Sequence, residues 1–421
     1  MNGAGRETMR NLRVDANRLW DSLMDMAKIG ALPDGGCCRL ALTDEDKEGR
    51  DLFVAWARDA GCDVSVDRMG NIFARRPGRD DSLPPIVTGS HLDTQPHGGK
   101  FDGVYGVLAG LEVIRSLNDH GVETEAPIEV TVWTNEEGSR FAPSMVASGV
   151  FGGKFDLDDA LAIEASDGKS IGAELARIGY AGDLPCGGRP FGAFFEAHIE
   201  QGPILEAEAK TIGVVTGAQA QRWFDVTLIG QDSHAGTTPM PMRKDAMFGL
   251  ARIVSAIEDM VAEFAPEAVG TIGEVMVSPN SRNTVPGRVD FTIDIRHPEE
   301  APLAEMHREV QALLEKVSEE YELELDARVV SDVPKIDFDP DCIDAVREAA
   351  TELGLPAREI LSGAGHDAMY IGNVAPVSMI FVPCEGGLSH NEAETATPED
   401  LGAGCDVLMH AMLSRAGVAD G

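Results

Sequence analysis

Two carboxylates stand side by side at Glu136 and Glu137, in the segment VTVWTNEEGSRF that follows an apolar run. Adjacent carboxylates at a strand end repel each other unless a cation sits between them, and a metal-activated water is the simplest chemistry that uses both. Further ligand types recur at equivalent places. His91 closes the run PIVTGSH, Asp102 lies in GGKFDG, His198 falls in FGAFFEAHIEQG, and His390 follows PVSMIFVP. Zinc and related divalent ions take imidazole and carboxylate ligands, and catalytic sites keep a position open for water. Five ligands are too many for one such ion. A pair of ions sharing a bridging carboxylate accounts for His91, Asp102, Glu137, His198 and His390 together, which is a cocatalytic dinuclear site. Glu136 is then left as general base, taking a proton from the water and passing it to the leaving nitrogen. Asp93 lies two residues after His91, on the same side of an extended chain, and is expected to orient the imidazole. Singly these assignments are weak, because Asp beside Gly is ordinary turn chemistry. The joint pattern carries the inference to a hydrolase.

The elements that must hold these side chains can be read from periodicity. Apolar runs at 85–91, 127–134 and 191–202 alternate with a helical stretch from about Val104 to Leu117, the pattern of an α/β sheet whose strands are buried on both faces. Ligands in such sheets gather at the carboxyl ends of strands. From about Gly217 the pattern changes. RWFDVTLIG alternates with period two, Arg243 to Phe264 has helical spacing, TIGEVMV (271–277) and GRVDFTIDIR (287–296) read as strands, and a helix containing Leu303, Met306, Val310 and Leu314 precedes YELELDARVV. The order β-α-β-β-α-β predicts a ferredoxin-like α+β unit over 217–330, inserted into a catalytic α/β domain formed by 1–216 and 331–421. On the strand 287–296 one face is apolar, and Arg288, Asp290, Thr292, Asp294 and Arg296 share the other. The α/β pattern then resumes with a helix near 341–353, the loop SGAGHDA, a strand at 376–383 and a closing helix from about Pro398.

Composition sets the outer limits. The 421 residues are 43% apolar and 25% charged, which suits a globular protein of two domains. A formal net charge of -36 opposes nucleic acid and anionic membrane surfaces as partners, because the summed field repels phosphates. The seven cysteines form no C-x-x-C pair, so reduced thiols are expected. No stretch approaches the 18 or so apolar residues of a membrane span and the first residues have no signal-peptide character, so the expected location is cytoplasmic.

GSHLDT, GGKFDGVYGVLAGLE, TNEEGSRF, EAHIEQGPILE, DSHAGTTPMPMRKDA, PNSRNTVPGRVDFTIDIR, SGAGHDA and MIFVPCEGGLSHNE follow one another in order from about residue 15 to 415. The set resembles the N-carbamoyl-L-amino acid hydrolases, a branch of the dinuclear zinc aminoacylase and carboxypeptidase superfamily that also holds β-ureidopropionase and allantoate amidohydrolase. The resemblance implies a zinc-exopeptidase-like mixed-sheet catalytic domain with a lid and dimerisation insert. It implies one metal on His91, Asp102 and His198, the other on Asp102, Glu137 and His390, and Glu136 as base. Zinc is the expected metal, with manganese, cobalt or nickel as alternatives. In that branch the insert pairs with its copy in a homodimer, here through 217–330, and closes over the active site, sometimes across the subunit interface. His234 would stabilise the oxyanion, and Asn283 and Arg296 would bind the substrate carboxylate. Without the resemblance, Arg296 reads as a salt bridge to Asp294 or Glu299. Gln201, Gly365 and His366 are implied substrate contacts, the last otherwise readable as a turn residue capping the next helix. The expected substrate is a small N-carbamoyl or ureido carboxylate. The alternatives are an allantoate or ureido amidohydrolase, a β-ureidopropionase, and an aminoacylase or dipeptidase.

Overall fold

Side-chain caps start the first two helices. Asp15 accepts a hydrogen bond from Arg18 N at the head of α1 (Ala16–Met26), and Thr43 accepts from Asp46 N at the head of α2 (Asp44–Asp59). These belong to a computed structural model that describes residues 11–419. An antiparallel pair follows, β1 (Asp63–Val66) and β2 (Ile72–Arg76). Then come β3 (Ile86–His91), α3 (Val104–Asp119), β4 (Ile128–Trp133), three short helices within 146–178, β5 (Ala193–Ile199) and β6 (Ile212–Ala218). Every residue of β3, β4 and β5 is buried, which explains why they read as unbroken apolar runs rather than alternating ones.

The chain divides into two compact units, one running to Gly217 and resuming at Asp337, the other Ala218–Ile336. The smaller holds β7 (Ala220–Ile229), β8 (Ser233–His234), α4 (Ala246–Glu263), β9 (Val269–Thr271), β10 (Val275–Ser278), β11 (Thr284–Val285), β12 (Arg288–His297), α5 (Glu300–Glu320) and β13 (Glu324–Val333). Its sheet order is β9–β12–β7–β13, with β10 also on β12, and its pairs are antiparallel. That is the ferredoxin-like arrangement. Phe224, Val226 and Leu228 of β7 and Val289, Phe291, Ile293 and Ile295 of β12 form the inner face, packed with Leu250 and Ile253 of α4 and Leu303, Met306 and Val310 of α5. The other face carries Asp225, Thr227, Arg288, Asp290, Thr292 and Arg328 and lines an open polar groove. The run 271–277, expected as one strand, is two. Thr271 pairs with Asp294 and Val275 with Phe291, so four steps (275 − 271) oppose three (294 − 291). Thr292 N still donates to Glu274 O at 3.2 Å, so the extra residue is a β-bulge at Ile272 and Gly273. The last strand runs on to Val333, so the second seam falls beyond residue 330.

The remaining elements of the larger unit are α6 (Pro340–Glu352), β15 (Ala357–Ser362), α7 (Asp367–Ile371), β16 (Val377–Val382) and α8 (Pro398–Ala416), preceded at the seam by β14 (Ile336–Asp337). The large sheet runs β14–β6–β16–β5–β3–β4–β2–β1, with β15 beside β6. Its centre, β16–β5–β3–β4, is parallel, so four carboxyl ends open at one edge. At the seam Phe338 N donates to Thr216 O at 2.9 Å. Among the described residues no helix is long and apolar enough to cross a membrane.

Candidate metal centre

The parallel register brings six side chains to that edge, two from strand ends and four from the loops that follow. His91 is the last residue of β3, and His198 lies next to the last residue of β5. Glu136 and Glu137 follow β4, Asp102 immediately precedes Gly103, the N-cap of α3, whose first residue is Val104, and His390 lies in the loop after β16. Asp102 sits at the middle. Its Oδ1 is 3.5 Å from His91 Nε2 and 3.2 Å from His198 Nε2, while its Oδ2 is 3.3 Å from His390 Nε2. Glu137 Oε2 lies 3.4 Å from the same His390 nitrogen. Ligand atoms of His91, Asp102 and His198 lie within 4.8 Å of one another, as do those of Asp102, Glu137 and His390. Each carboxylate oxygen of Asp102 therefore faces a different histidine set. Glu136 belongs to neither group, and its Oε2 stands 3.4 Å from His91 Nε2.

Main-chain oxygens set the imidazole tautomers. His91 Nδ1 donates to Asp93 O at 2.8 Å and His198 Nδ1 to Ile199 O at 2.9 Å, which turns both Nε2 atoms toward Asp102, where His198 Nε2 also lies 3.1 Å from the Gly103 N–H. The expectation for Asp93 needs correcting here. Its main-chain oxygen orients His91, while its buried carboxylate accepts from Glu136 N (3.3 Å) and Glu137 N (3.2 Å) and holds the loop that carries both glutamates. The strand ends at His91, so the two-residue alternation that would have put the Asp93 carboxylate beside the imidazole does not continue. Gln95 was not foreseen: its Nε2 donates to Glu137 Oε2 at 2.6 Å. The glycine of the FDG turn is required by the site, since a Cβ at Gly103 (φ +67°) would lie 2.3 Å from the His91 ring.

The electrostatics follow from burial and crowding. Burial pushes the Asp102 carboxyl up, but hydrogen bonds to His198, His390 and His91 outweigh it and hold the group well below the usual carboxylate range. Burial drives Glu136 well above that range; His91 opposes the shift, and Asp367 and Glu137 add to it. Glu137 is pushed up to about 7 by burial and by Asp102. His390 is raised to about 9, chiefly through its hydrogen bond to Asp102. This is a donor set of neutral or neutralisable imidazoles and crowded carboxylates that fits divalent cations.

The other anticipated residues fall in two places. Gln201 and His366 stand against the ligands. Gln201 Nε2 donates to Asp102 Oδ2 at 2.8 Å, so in this structure it supports the Asp102 carboxylate. His366 is buried, its ring 4.6 Å from that of His198, and burial with the neighbouring His198 keeps it neutral. Its Nε2 has no partner among the described residues. Gly365 packs where a Cβ would come 2.7 Å from Met145 Cε. His234, Asn283 and Arg296 lie in the smaller unit. Gly236 N and Thr237 N donate to His234 Nδ1 at 3.0 and 3.2 Å, which puts the proton on Nε2 of this exposed ring. Asn283 O accepts from Ala235 N at 2.9 Å, so Asn283 is His234's neighbour. Arg296 is at the far end of β12, its guanidinium 2.7 Å from Asp294.

A mixed α/β sheet that gathers two histidine and carboxylate sets around one aspartate defines a metal-dependent hydrolase. The chain belongs to Peptidase family M20/M25/M40, whose sequence profile matches residues 87–414. An N-carbamoyl-L-amino-acid amidohydrolase of Rhizobium meliloti is 51% identical over 410 residues, covering 97% of this chain and 99% of that one. The allantoate amidohydrolase of Bacillus subtilis (strain 168) is 35% identical over 398 residues, covering 93% and 96%. The crystal structure of an amidase of the hydantoinase/carbamoylase family from Burkholderia multivorans superposes with a TM-score of 0.89 at 61% identity, covering 96% of this chain and 98% of that one.

Proposed function

We propose that this protein hydrolyses the carbamoyl C–N bond of N-carbamoyl-L-amino acids, releasing the amino acid, carbon dioxide and ammonia. The observation that carries the reading is Glu136, a buried carboxylate beside the ligand groups and outside both of them. The 51% identity to a carbamoylase, against 35% to an allantoate amidohydrolase, favours the carbamoyl substrate. His91, Asp102 and His198 would hold one divalent ion and Asp102, Glu137 and His390 the other. Zinc is the first choice, and manganese, cobalt and nickel suit the same ligands. Ions held there supply polarisation of the ureido carbonyl and acidification of a water. Glu136, its proton affinity raised by burial, takes the proton of the attacking water and returns it to the departing nitrogen. His234 offers an N–H to the oxygen that gains charge, and Asn283 with the Arg296 fork takes the substrate carboxylate.

The smaller domain constrains how those last residues are used. Arg296 and Arg288 are eight steps apart on β12 (296 − 288), about 26 Å at roughly 3.3 Å per residue. His234 and Asn283 lie beyond the Arg288 end, where Gly230 N and the Asp232 carboxylate bond Gly287. That span is several times the length of an N-carbamoyl amino acid, so one copy of the domain cannot offer both ends to one substrate. A homodimer through this domain supplies the second copy, and exposed Val275 and Met276 on the β10 edge suit such pairing. We place the enzyme in the cytoplasm. The test is ammonia release by zinc- or manganese-loaded protein from N-carbamoyl-L-amino acids, N-carbamoyl-β-alanine, allantoate and N-acetyl-amino acids, with chelated protein as control. Metal-dependent turnover of the N-carbamoyl-L-amino acids is expected. Turnover confined to N-acetyl or peptide substrates would overturn the proposal.

A further inference from the structure

Glu394, four residues after His390, has no part in the chemistry described so far, yet its carboxylate is only 3% exposed and has no cation among its hydrogen-bond partners. Its Oε1 accepts from Phe101 N at 2.9 Å and from Asp102 N at 3.1 Å. Its Oε2 accepts from Ser389 Oγ at 2.9 Å. One buried group thus grips the main chain of the bridging aspartate and the residue preceding His390, segments that meet from opposite ends of the sequence. The place is built for it, because a Cβ at Gly99 would fall 1.9 Å from Glu394 Oε1. Burying a carboxylate is costly unless its lone pairs are satisfied, and three donors satisfy this one.

We propose that Glu394 is a positioning residue which sets the His390 loop against Asp102, and so builds the half of the centre formed by Asp102, Glu137 and His390. The proposal rests on the dinuclear reading above. His91 and His198 do not need such help, since each ring is anchored at Nδ1 and buried. His390 does. Its side chain is 51% exposed, its backbone is left-handed at φ +52°, and among the described residues its ring meets only the Asp102 and Glu137 carboxylates. Its position therefore comes through its loop. Ser389 completes the device. Its hydroxyl lies 3.1 Å from Asp102 Oδ2 and 2.9 Å from Glu394 Oε2, and it has one proton to give. Glu394 draws that proton, which leaves Asp102 Oδ2 a lone pair for a cation.

The test is zinc titration against a chromophoric chelator for wild type, Glu394→Ala and Glu394→Gln, with circular dichroism of the metal-free proteins alongside. Wild type takes two ions. In Glu394→Ala one ion binds as in wild type and the second is weakened roughly 10- to 100-fold, the usual effect of removing a group that orients a metal ligand. Glu394→Gln keeps an oxygen for both main-chain N–H groups but turns an amide N–H toward Ser389, whose proton then falls to Asp102 Oδ2, so it restores the second ion only in part, to an affinity between those of Glu394→Ala and wild type. A misfolded variant would lose both ions. Glu394→Ala binding two ions as wild type does, or losing both together, or Glu394→Gln failing equally, overturns the role of Glu394. A wild type that binds fewer than two ions overturns instead the dinuclear reading beneath it.

Discussion

Arg296→Ala and His234→Ala should each be nearly inactive, and a heterodimer made of one of each should not be. Losing a charge-assisted hydrogen-bonded fork costs about 1.5–3 kcal/mol per bond, and losing an oxyanion donor costs about 2.7–4 kcal/mol, so each homodimer should retain on the order of 1% of wild-type kcat/KM or less. In the proposed homodimer, the roughly 26 Å between Arg288 and Arg296 on β12 would have the two residues reach one substrate from different copies. In the heterodimer one site then lacks both residues and the other lacks neither. With one complete site of two, the purified heterodimer should show about half the wild-type activity per dimer, a gain of about fiftyfold over either parent. The assay is co-expression with two different affinity tags, tandem purification, and ammonia release from an N-carbamoyl-L-amino acid. Were both residues drawn from the same copy, each heterodimer site would lack one of them. A heterodimer no more active than its parents, or a fully active monomer in sedimentation, would refute the reasoning.

Glu136→Gln should lower kcat by roughly 10²–10⁴ while leaving metal content at the wild-type level, as measured by steady-state kinetics beside elemental analysis; an active variant removes Glu136 from the base role. Stripping the metals should lower the melting temperature, because an ion at about 100 times its Kd stabilises the fold by about 2.7 kcal/mol; scanning calorimetry with and without chelator reads this, and equal temperatures contradict a metal centre. The ion on Asp102, Glu137 and His390 should bind more tightly as pH rises. In the metal-free protein His390 is raised to about 9 and Glu137 to about 7, so below these values a proton must leave before a cation can bind. Because His390 is half exposed, solvent screening moves the plateau to lower pH, but the slope stays positive, up to about tenfold per unit. Affinities measured from about pH 6 to 9 that do not change, or that fall, would contradict it.

The convergence of the five candidate ligand side chains was legible because the central strands are buried on both faces and therefore appear as apolar runs, each ending in or followed by a histidine or carboxylate. What supports those side chains was not legible. The carboxylate of Asp93 reaches Glu136 and Glu137, Gln95 reaches Glu137, and Glu394 reaches Asp102 from nearly three hundred residues away. Such bonds are made by the fold and leave no local periodicity. The segment before residue 85 gave no reading, although it holds α1, α2, β1 and β2. Of these, α2 opens on three acidic residues and β1 is an edge strand with no fully buried position, so neither shows the apolar pattern that marks the central strands. The bulge at Gly273 was hidden for a related reason, since an alternating pattern passes through one extra residue without a mark at either end.

The hydrogen bond between Phe338 and Thr216 joins the places where the chain leaves the large sheet and where it returns. The intervening residues therefore form a cassette with touching ends, and the sheet's registers are indifferent to what is spliced between them. Ancestral chains could gain, lengthen or exchange that cassette without disturbing a strand of the scaffold. On the proposed roles, metal holding and substrate reading would be separable hereditary units: the first can stay constant while the second diversifies. The same junction is where an engineer would graft a foreign domain.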